Sequence, residues 1–177
     1  TCAFMNCTNL KTIDMTVKNV TNGIKKIGSR AFQGCRSLIG FGHDDPDTKE
    51  LDFGYSVKEI GESAFKECAS VTTIALIEDS ILTKIGEEAF SGCSNLDLAI
   101  EIANPDADPE DQITNIDSIT SIGNNAFSGC LSLTVKVLPK DIVEIGESAF
   151  DGCLLVSINT TNASVKRIGD YAFRGCK

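Results

Sequence analysis

The sequence has few of the residues that usually build catalytic and metal sites. Its only histidine is His43, and its eight cysteines include no Cys-x-x-Cys pair. Tetrahedral zinc therefore lacks a ligand set, and a lone loop histidine lacks partners for acid–base chemistry. There is also no Gly-x-Gly-x-x-Gly, no phosphate-binding loop and no serine-hydrolase elbow. The sequence predicts no catalytic residue, no metal site, no cofactor and hence no enzyme.

Long apolar runs and positive charge are also scarce. No run approaches the roughly 18 residues of a membrane span, and no signal peptide is visible. The chain has 25 acidic and 16 basic residues, which gives a net charge of −9. Nucleic acids and anionic membranes are bound by clustered lysine and arginine. The composition therefore argues against a nucleic-acid partner and against direct membrane insertion of this segment.

What the chain has in abundance is a repeat, Ala-Phe-x-x-Cys, in seven copies. Its phenylalanines are Phe4, Phe32, Phe65, Phe90, Phe127, Phe150 and Phe173. Its cysteines are Cys7, Cys35, Cys68, Cys93, Cys130, Cys153 and Cys176. Six copies also have Ile-Gly just upstream. Such self-similarity predicts a solenoid, in which each coil buries its apolar side against its neighbours.

The spacing of the copies identifies a unit with insertions at one point. Successive phenylalanines are 28, 33, 25, 37, 23 and 23 residues apart, so the unit has 23 residues. It reads Leu at place 1, Ile at 4, apolar residues at 6 and 10, Ile-Gly at 13 and 14, Ala-Phe at 17 and 18, and Cys at 21. The extra residues all fall between places 6 and 10, which predicts loops that project from one edge of the solenoid.

Each part of the unit predicts a local structure. Leu-x-x-Ile-x-Leu is typical of a short strand whose alternate side chains face inward. The glycine after Ile predicts either a positive φ or a close approach of two backbones. Ala-Phe-x-x-Gly-Cys is too short for a regular helix and predicts one helical or 3₁₀ turn. Stacking of the coils would bring the seven phenylalanines together as a continuous phenylalanine spine.

The pattern Leu-x-x-Ile-x-(Ile/Leu)-Pro…Ile-Gly-x-x-Ala-Phe-x-x-Cys resembles the BspA-like subclass of leucine-rich repeats over the whole chain. The segment 133–153 matches it best, with Leu138-Pro139, Ile145-Gly146 and Ala149-Phe150 in place. The resemblance implies a right-handed solenoid with a parallel, concave β-sheet and short turns on the convex side. It also implies adhesion or protein binding, often at cell surfaces, without catalytic residues. We expect one domain, 1–177, of about seven coils, which is a segment of a longer chain without its caps.

The spacing of the cysteines predicts a ladder of thiols rather than disulfides. Seven cysteines occupy the same place in successive units, so their Cβ atoms should lie about 4.8 Å or more apart, beyond the roughly 3.8 Å mean of a disulfide. Free cysteine behaves as a small buried hydrophobic residue, which suits such a ladder. Only Cys2 lies outside the register, and we expect it to be exposed.

Two of the insertions are acidic. One contains Asp44, Asp45, Asp47, Glu50 and Asp52, and the other contains Asp106, Asp108, Glu110 and Asp111. Calcium prefers six to eight oxygen ligands, but the turn glycine and the distal glutamate of an EF-hand loop are missing. The pattern favours solvated loops over a calcium site.

The apolar places of the strand change phase along the chain. Places 4 and 6 are apolar in early units, whereas places 3 and 5 are apolar from the fourth unit on. A one-residue slip of the strands would keep the apolar groups inside. An unchanged register would instead leave an apolar stripe on the concave sheet, which would mark a binding face. The candidate residues for that face are Thr73, Ala75, Leu98, Ile100, Val135, Val137, Ile158 and Thr160.

Two functions fit these observations. The first is a non-catalytic module that binds a protein or glycan in adhesion or recognition, at the cell surface or outside the cell. The second is a structural subunit that is packed within a larger assembly. A scaffold subunit should expose large apolar edges, whereas a binding module should be soluble alone.

Overall fold

A computed structural model of the chain describes residues 1–13, 23–41, 50–52, 56–75, 81–97, 118–134, 138–154 and 164–177. These residues form short parallel strands joined by turns. The strands are β1 (Thr12–Ile13), β2 (Lys26–Ile27), β3 (Gly40–Phe41), β4 (Glu50–Asp52), β5 (Glu59–Ile60), β6 (Thr73–Ala75), β7 (Lys84–Ile85), β8 (Ser121–Ile122), β9 (Glu144–Ile145) and β10 (Arg167–Ile168). No described segment forms a helix long and apolar enough to cross a membrane.

Six of the strands form one parallel sheet in the order β10-β9-β8-β7-β5-β2. Each contributes the residue before Ile-Gly and the isoleucine itself, and the isoleucines pair in register, as Ile27 does with Ile60 and Ile60 with Ile85. Five of these isoleucines point into the core, where Ile60 is fully buried, whereas Ile168 in the last coil is 54% exposed. The stacked coils of the predicted solenoid therefore meet in this sheet.

The parallel sheet was predicted, but its principal residues were not. The Leu-x-x-Ile-x-Leu segment does contribute β1, β3 and β6, in two small parallel sheets, β1-β3 and β4-β6. The long sheet lies instead at Ile-Gly, where the sequence predicted only a turn. Two-residue strands show no alternation of polar and apolar residues, so the period-2 signal was absent there.

The glycine of Ile-Gly is required by close approach of the backbones. A Cβ atom at Gly61 would lie 2.7 Å from the backbone nitrogen of Ser29 in the preceding coil, and one at Gly86 would lie 2.8 Å from the carbonyl carbon of Gly61. Neither glycine has a positive φ. Of the two explanations that the sequence left open, close approach is therefore the correct one.

The Ala-Phe-x-x-Gly-Cys segment is a series of turns without a continuous helix. The Ala31 N–H donates to the Gly28 carbonyl and the Cys35 N–H to the Phe32 carbonyl, which is the hydrogen-bond pattern of a 3₁₀ turn. Residues with positive φ interrupt it, as at Arg30 (57°) and Gly34 (72°). Alternate N–H groups point to the next coil: that of Phe32, for example, donates to the Ala64 carbonyl at 2.8 Å.

The phenylalanines stack along the centre of the core. Ring centroids of successive coils are 5.2–5.4 Å apart, and the ring planes differ by 2–12°. The rings of Phe65, Phe90 and Phe127 are fully buried, whereas Phe4 at one end is 39% exposed. Below, each coil is numbered by its phenylalanine, from the first (Phe4) to the seventh (Phe173).

Candidate interaction surface

The outer side of the six-stranded sheet presents a regular surface. In each strand the isoleucine faces the core in all but the last coil, while the residue before it lies at the surface. The residue one position earlier is exposed as well and continues the backbone ladder. We call this surface the sheet face; its two rows are Lys26, Glu59, Lys84, Ser121, Glu144 and Arg167, and Lys25, Lys58, Thr83, Thr120, Val143 and Lys166.

Charges of opposite sign alternate between neighbouring strands at one end of the sheet face. The Lys26 Nζ atom lies 2.8 Å from Glu59 Oε2, and Lys84 Nζ lies 3.8 Å from Glu59 Oε1. The hydrogen bond from Lys26, together with the charges of both lysines, lowers the pKa of the Glu59 carboxyl group. Such exposed pairs add little stability, but they hold the side chains in place across the strands.

The opposite end has a second pair, and the middle is neutral. The Arg167 Nη1 atom lies 2.6 Å from Glu144 Oε1. Between the two charged ends lie Ser121 and two threonines whose hydroxyl groups are fixed. The Thr83 hydroxyl donates to the Lys58 carbonyl and the Thr120 hydroxyl to the Thr83 carbonyl, each at 3.1 Å. The centre of the sheet face is therefore a polar strip with little conformational freedom.

A second set of ion pairs lies beyond Ile-Gly and links the second, third and fourth coils. The Arg30 Nη2 atom is 2.6 Å from Glu62 Oε1. The Glu88 carboxylate accepts hydrogen bonds from Lys66 Nζ at 2.8 Å and from the Ser63 hydroxyl at 3.0 Å. The Lys66 ammonium is the main cause of a lowered pKa at Glu88. These contacts fix the register of neighbouring coils from outside the core.

Each buried cysteine thiol donates a hydrogen bond to a phenylalanine carbonyl of the preceding coil. The Sγ–O distances are 2.9 Å from Cys35 to Phe4, 3.0 Å from Cys93 to Phe65 and 3.1 Å from Cys68 to Phe32. The same bond recurs at Cys130, Cys153 and Cys176. The thiol thus acts as a donor as well as an apolar group, which the sequence did not reveal.

All eight cysteines are free, and their exposure differs. Cys2 is exposed, and Cys7 is exposed too, although the register placed it in the buried ladder. Cys176 is half-buried, and the other five are buried. Burial raises the pKa of the interior thiols, that of Cys153 to about 12 and that of Cys93 well above its ordinary value.

Most residues of the binding face that the sequence indicated cannot be compared with the structure. Thr73 is half-buried in β6, and Ala75 lies in the same strand, opposite Asp52 of β4. The other six, Leu98, Ile100, Val135, Val137, Ile158 and Thr160, lie outside the described residues. One parallel bridge nearby joins Thr134, four residues after Cys130, to Leu154, one residue after Cys153. This single bridge is offset by three residues relative to the cysteines, whereas β8 and β9 of the same two coils pair in register.

Within the described segments, no group of three or more His, Cys, Asp or Glu side chains is placed to hold a metal ion. His43 and most acidic residues of the two insertions, 44–47 and 106–111, lie outside those segments. Glu50 and Asp52 are in β4, where their backbone pairs with Thr73 and Ala75.

Sequence reasoning missed the sheet face, although a signal for it was present. The residue before each Ile-Gly is Lys, Glu, Lys, Ser, Glu and Arg in successive units. Alternating charge at one place of a repeat is typical of cross-strand pairing between coils. This alternation predicts cross-strand pairing only if the residue before Ile-Gly is known to lie in a strand. The period-2 pattern did not indicate a strand there.

The comparisons with known proteins agree with this architecture. The BspA type leucine rich repeat region matches in six copies over residues 1–104 and 110–177. A leucine rich cell surface protein from Faecalibacterium prausnitzii is similar in structure, with a TM-score of 0.60 at 24% identity over 93% of this chain and 44% of that one. A leucine-rich repeat protein of T. pallidum has a TM-score of 0.53 at 21% identity over 93% of this chain and 75% of that one.

This chain thus spans less than half of the length of the F. prausnitzii protein. No curated protein matches it in sequence. The family match extends over nearly every residue, including all seven Ala-Phe-x-x-Cys copies. The chain therefore belongs to the BspA type of leucine-rich repeat proteins.

Proposed function

We propose that this chain is a non-catalytic binding module that recognises a partner protein through the sheet face. The observation that supports this most directly is the regular array of twelve surface residues, nine of them exposed and three half-buried, with two threonine hydroxyl groups held at its centre. Solenoids typically use such extended surfaces for recognition, and the function resides in the surface rather than in the fold.

Preorganisation of the sheet face favours binding. Immobilising a flexible side chain at an interface costs about 0.5–1.5 kcal/mol, and that cost is smaller where the side chain is already held. Glu59 and Glu144 are held by ion pairs with neighbouring strands, and Thr83 and Thr120 are held by backbone carbonyl groups. A partner would therefore meet a surface that needs little rearrangement.

The chemistry of the sheet face favours a protein over a glycan. Charges of both signs stand in alternation, and complementary charges on a protein surface can match them and set the orientation of binding. A neutral glycan offers no such match. We place the interaction at a cell surface, in adhesion or recognition, and the F. prausnitzii protein, which is described as a cell surface protein, supports that location.

The test is a substitution at the centre of the sheet face. Partners are first identified by copurification from the native source and mass spectrometry, and each is then purified and titrated calorimetrically. Thr120→Arg places a long cation in the neutral strip and should weaken binding of the true partner roughly tenfold or more, because like or unmatched charge at an interface is costly.

Ser132→Arg is the matched control, since Ser132 is exposed in the same coil but outside the sheet face. Equal affinity of Thr120→Arg and Ser132→Arg for every purified partner would show that the sheet face is not the binding surface. Glycan arrays probed with the same two variants test the other ligand class. If a glycan binds the wild type and Ser132→Arg but not Thr120→Arg, the sheet face is the binding surface and its partner is a glycan rather than a protein.

A further inference from the structure

One end of the sheet face carries a concentration of positive charge. Lys25, Lys26, Lys58 and Lys84 lie in the second, third and fourth coils, with Glu59 as the one carboxylate among them in the two rows. This lysine cluster has four positive charges and one negative charge, on a chain whose net charge is −9. The sign of the cluster is thus opposite to that of the molecule.

Two of these lysines lie beside each other on adjacent strands. The Lys58 N–H donates to the Lys25 carbonyl at 2.8 Å, so the two residues are neighbours on adjacent strands. Both are exposed, and neither forms an ion pair with a carboxylate of the described residues. Like charges opposite each other on neighbouring strands are destabilising.

Some other cations of these coils, at different places of the repeat, are paired with the next coil. Arg30, Arg36 and Lys66 each contact a carboxylate one coil further along, at 2.6–2.9 Å. Among the described residues, no carboxylate pairs with Lys25 or Lys58, nor with Lys166 at the same place of the last coil. Lys25 and Lys58 differ from Lys166 in being neighbours on adjacent strands, so an external negative charge would meet two lysines there.

We propose that the lysine cluster binds an acidic, extended segment of a partner protein, rich in Asp and Glu. This inference rests on the proposed function of the sheet face and specifies the chemistry of the partner. Carboxylates of the segment would lie between Lys25 and Lys58 and beside Lys84, which has only a 3.8 Å contact to Glu59. The flexible stems of lysine let the ammonium groups adapt to the spacing of those carboxylates.

Carboxylates on a peptide fit the surroundings better than a polyphosphate does. Glu62 and Glu87 are exposed three residues after Glu59 and Lys84, on the same coils. A nucleic acid carries one charge per phosphate along its whole length, so these two nearby carboxylates in the sequence disfavour it. A peptide can present negative charge over the lysines and neutral residues elsewhere.

The test uses a labelled peptide of alternating glutamate and alanine, and a glutamine–alanine peptide is the neutral control. Fluorescence anisotropy measures the affinity of the whole chain for each peptide, and stopped-flow measures the association rate. The wild-type protein should bind the acidic peptide and not the neutral one, with affinity that falls as salt is added. Lys25→Glu/Lys58→Glu should lower the association rate roughly tenfold or more.

Lys11→Glu/Lys177→Glu is the charge-matched control, since both lysines are exposed outside the sheet face. Equal losses in the two double variants would mean that the peptide responds to overall charge, and the proposal would fail. Tighter binding of heparin or of single-stranded DNA than of the acidic peptide would also overturn it. The protein could also self-associate as its concentration rises. If only Lys25→Glu/Lys58→Glu abolished that self-association, the lysine cluster would bind a second copy of this chain, and the proposal would be wrong.

Binding of a purified partner by the two kinds of variant separates the acidic-segment proposal from the proposed function of the sheet face. If Lys25→Glu/Lys58→Glu binds a purified partner normally while Thr120→Arg does not, the sheet face remains the binding surface and the acidic segment is wrong. If both variants bind normally, both proposals are wrong.

Discussion

The Cys93 thiol donates a hydrogen bond to the Phe65 carbonyl oxygen at 3.0 Å, and that oxygen also accepts the Cys68 N–H at 3.1 Å. Both groups are buried in the core. One carbonyl therefore closes the turn of its own coil and joins it to the next coil. The cysteine of the repeat is thus a donor that connects coils.

The first prediction concerns the thiol donor. Cys93→Ala removes the donor and a buried sulfur, so the free energy of unfolding should fall by about 1–3 kcal/mol. Cys7→Ala is the control, because Cys7 is exposed, and its cost should stay within about 0.5 kcal/mol. Guanidinium unfolding midpoints measure both. Equal midpoints would mean that the thiol–carbonyl bond adds nothing.

The second prediction concerns the phenylalanine spine. Phe90 is fully buried between the rings of Phe65 and Phe127, whereas Phe173 is half-buried and, among the described residues, stacks only on Phe150. Phe90→Ala should cost roughly 3–5 kcal/mol through lost burial and a cavity, and Phe173→Ala should cost less. Thermal and denaturant unfolding of the two variants gives the comparison. A larger effect at Phe173 would contradict the dependence on neighbouring coils.

The third prediction concerns thiol reactivity. In the native protein a disulfide reagent should modify Cys2 and Cys7 rapidly and Cys176 more slowly, because the first two are exposed and the third is half-buried. The five buried thiols should react only after denaturation, without added reductant. Mass spectrometry after a short native labelling pulse identifies the sites. Rapid labelling of Cys68 or Cys130 would contradict the buried ladder.

The fourth prediction concerns pH. Burial raises the pKa of Cys68, Cys93, Cys130 and Cys153, so these thiols stay protonated in the folded chain. In the unfolded chain they ionise near pH 8.5, so above that pH the unfolded state binds fewer protons and stability declines. Each such thiol should lower the unfolding free energy by up to about 1.4 kcal/mol per pH unit there.

Unfolding in guanidinium between pH 7 and 9.5 measures this slope. Cys93→Ala has one buried thiol fewer, so its stability should decline less steeply with pH than that of the wild type. An identical slope for the two proteins would indicate that Cys93 does not remain protonated in the fold.

The fifth prediction concerns backbone approach. Gly61→Ala would place a Cβ 2.7 Å from the Ser29 nitrogen, so the coils must separate, at a cost of about 1–3 kcal/mol or more. Gly152→Asn is the control, because Gly152 has a φ of 77° with open space around it, and Asn6 at the same place of the first coil has a φ of 60°. Asparagine tolerates this conformation, so the control should be nearly neutral. Chemical denaturation of both variants tests the difference.

The sequence predicted those features of the fold that repeat in every coil. Ala-Phe-x-x-Cys has one spacing throughout, so the solenoid, the parallel sheet and the family could be derived from it. The exposure of Cys7 could not, because it depends on whether another coil covers that side. The strand at Lys26–Ile27 was missed because two residues are too few to show a period.

The site was harder to predict than the fold. The sequence pointed to places 3 and 5 of the Leu segment, from which the structure describes only Thr73 and Ala75. The sheet face became visible only when Lys26, Glu59 and Lys84 were seen to pair across neighbouring strands. Cross-strand neighbours in this sheet come from residues 23 to 37 positions apart, and no pattern within a single unit contains that information.

The phenylalanine stack also determines the distance between coils along the axis of the solenoid. Phe90 and Phe127 are 37 residues apart in sequence and Phe150 and Phe173 are 23 apart, yet both pairs of rings are separated by 5.4 Å. The distance along the axis therefore depends on the number of phenylalanines, not on the number of residues. Insertions can therefore change in length while Lys25 and Lys58 remain one coil apart. Under the proposed function, the affinity of a partner for the sheet face would not depend on the length of the insertions.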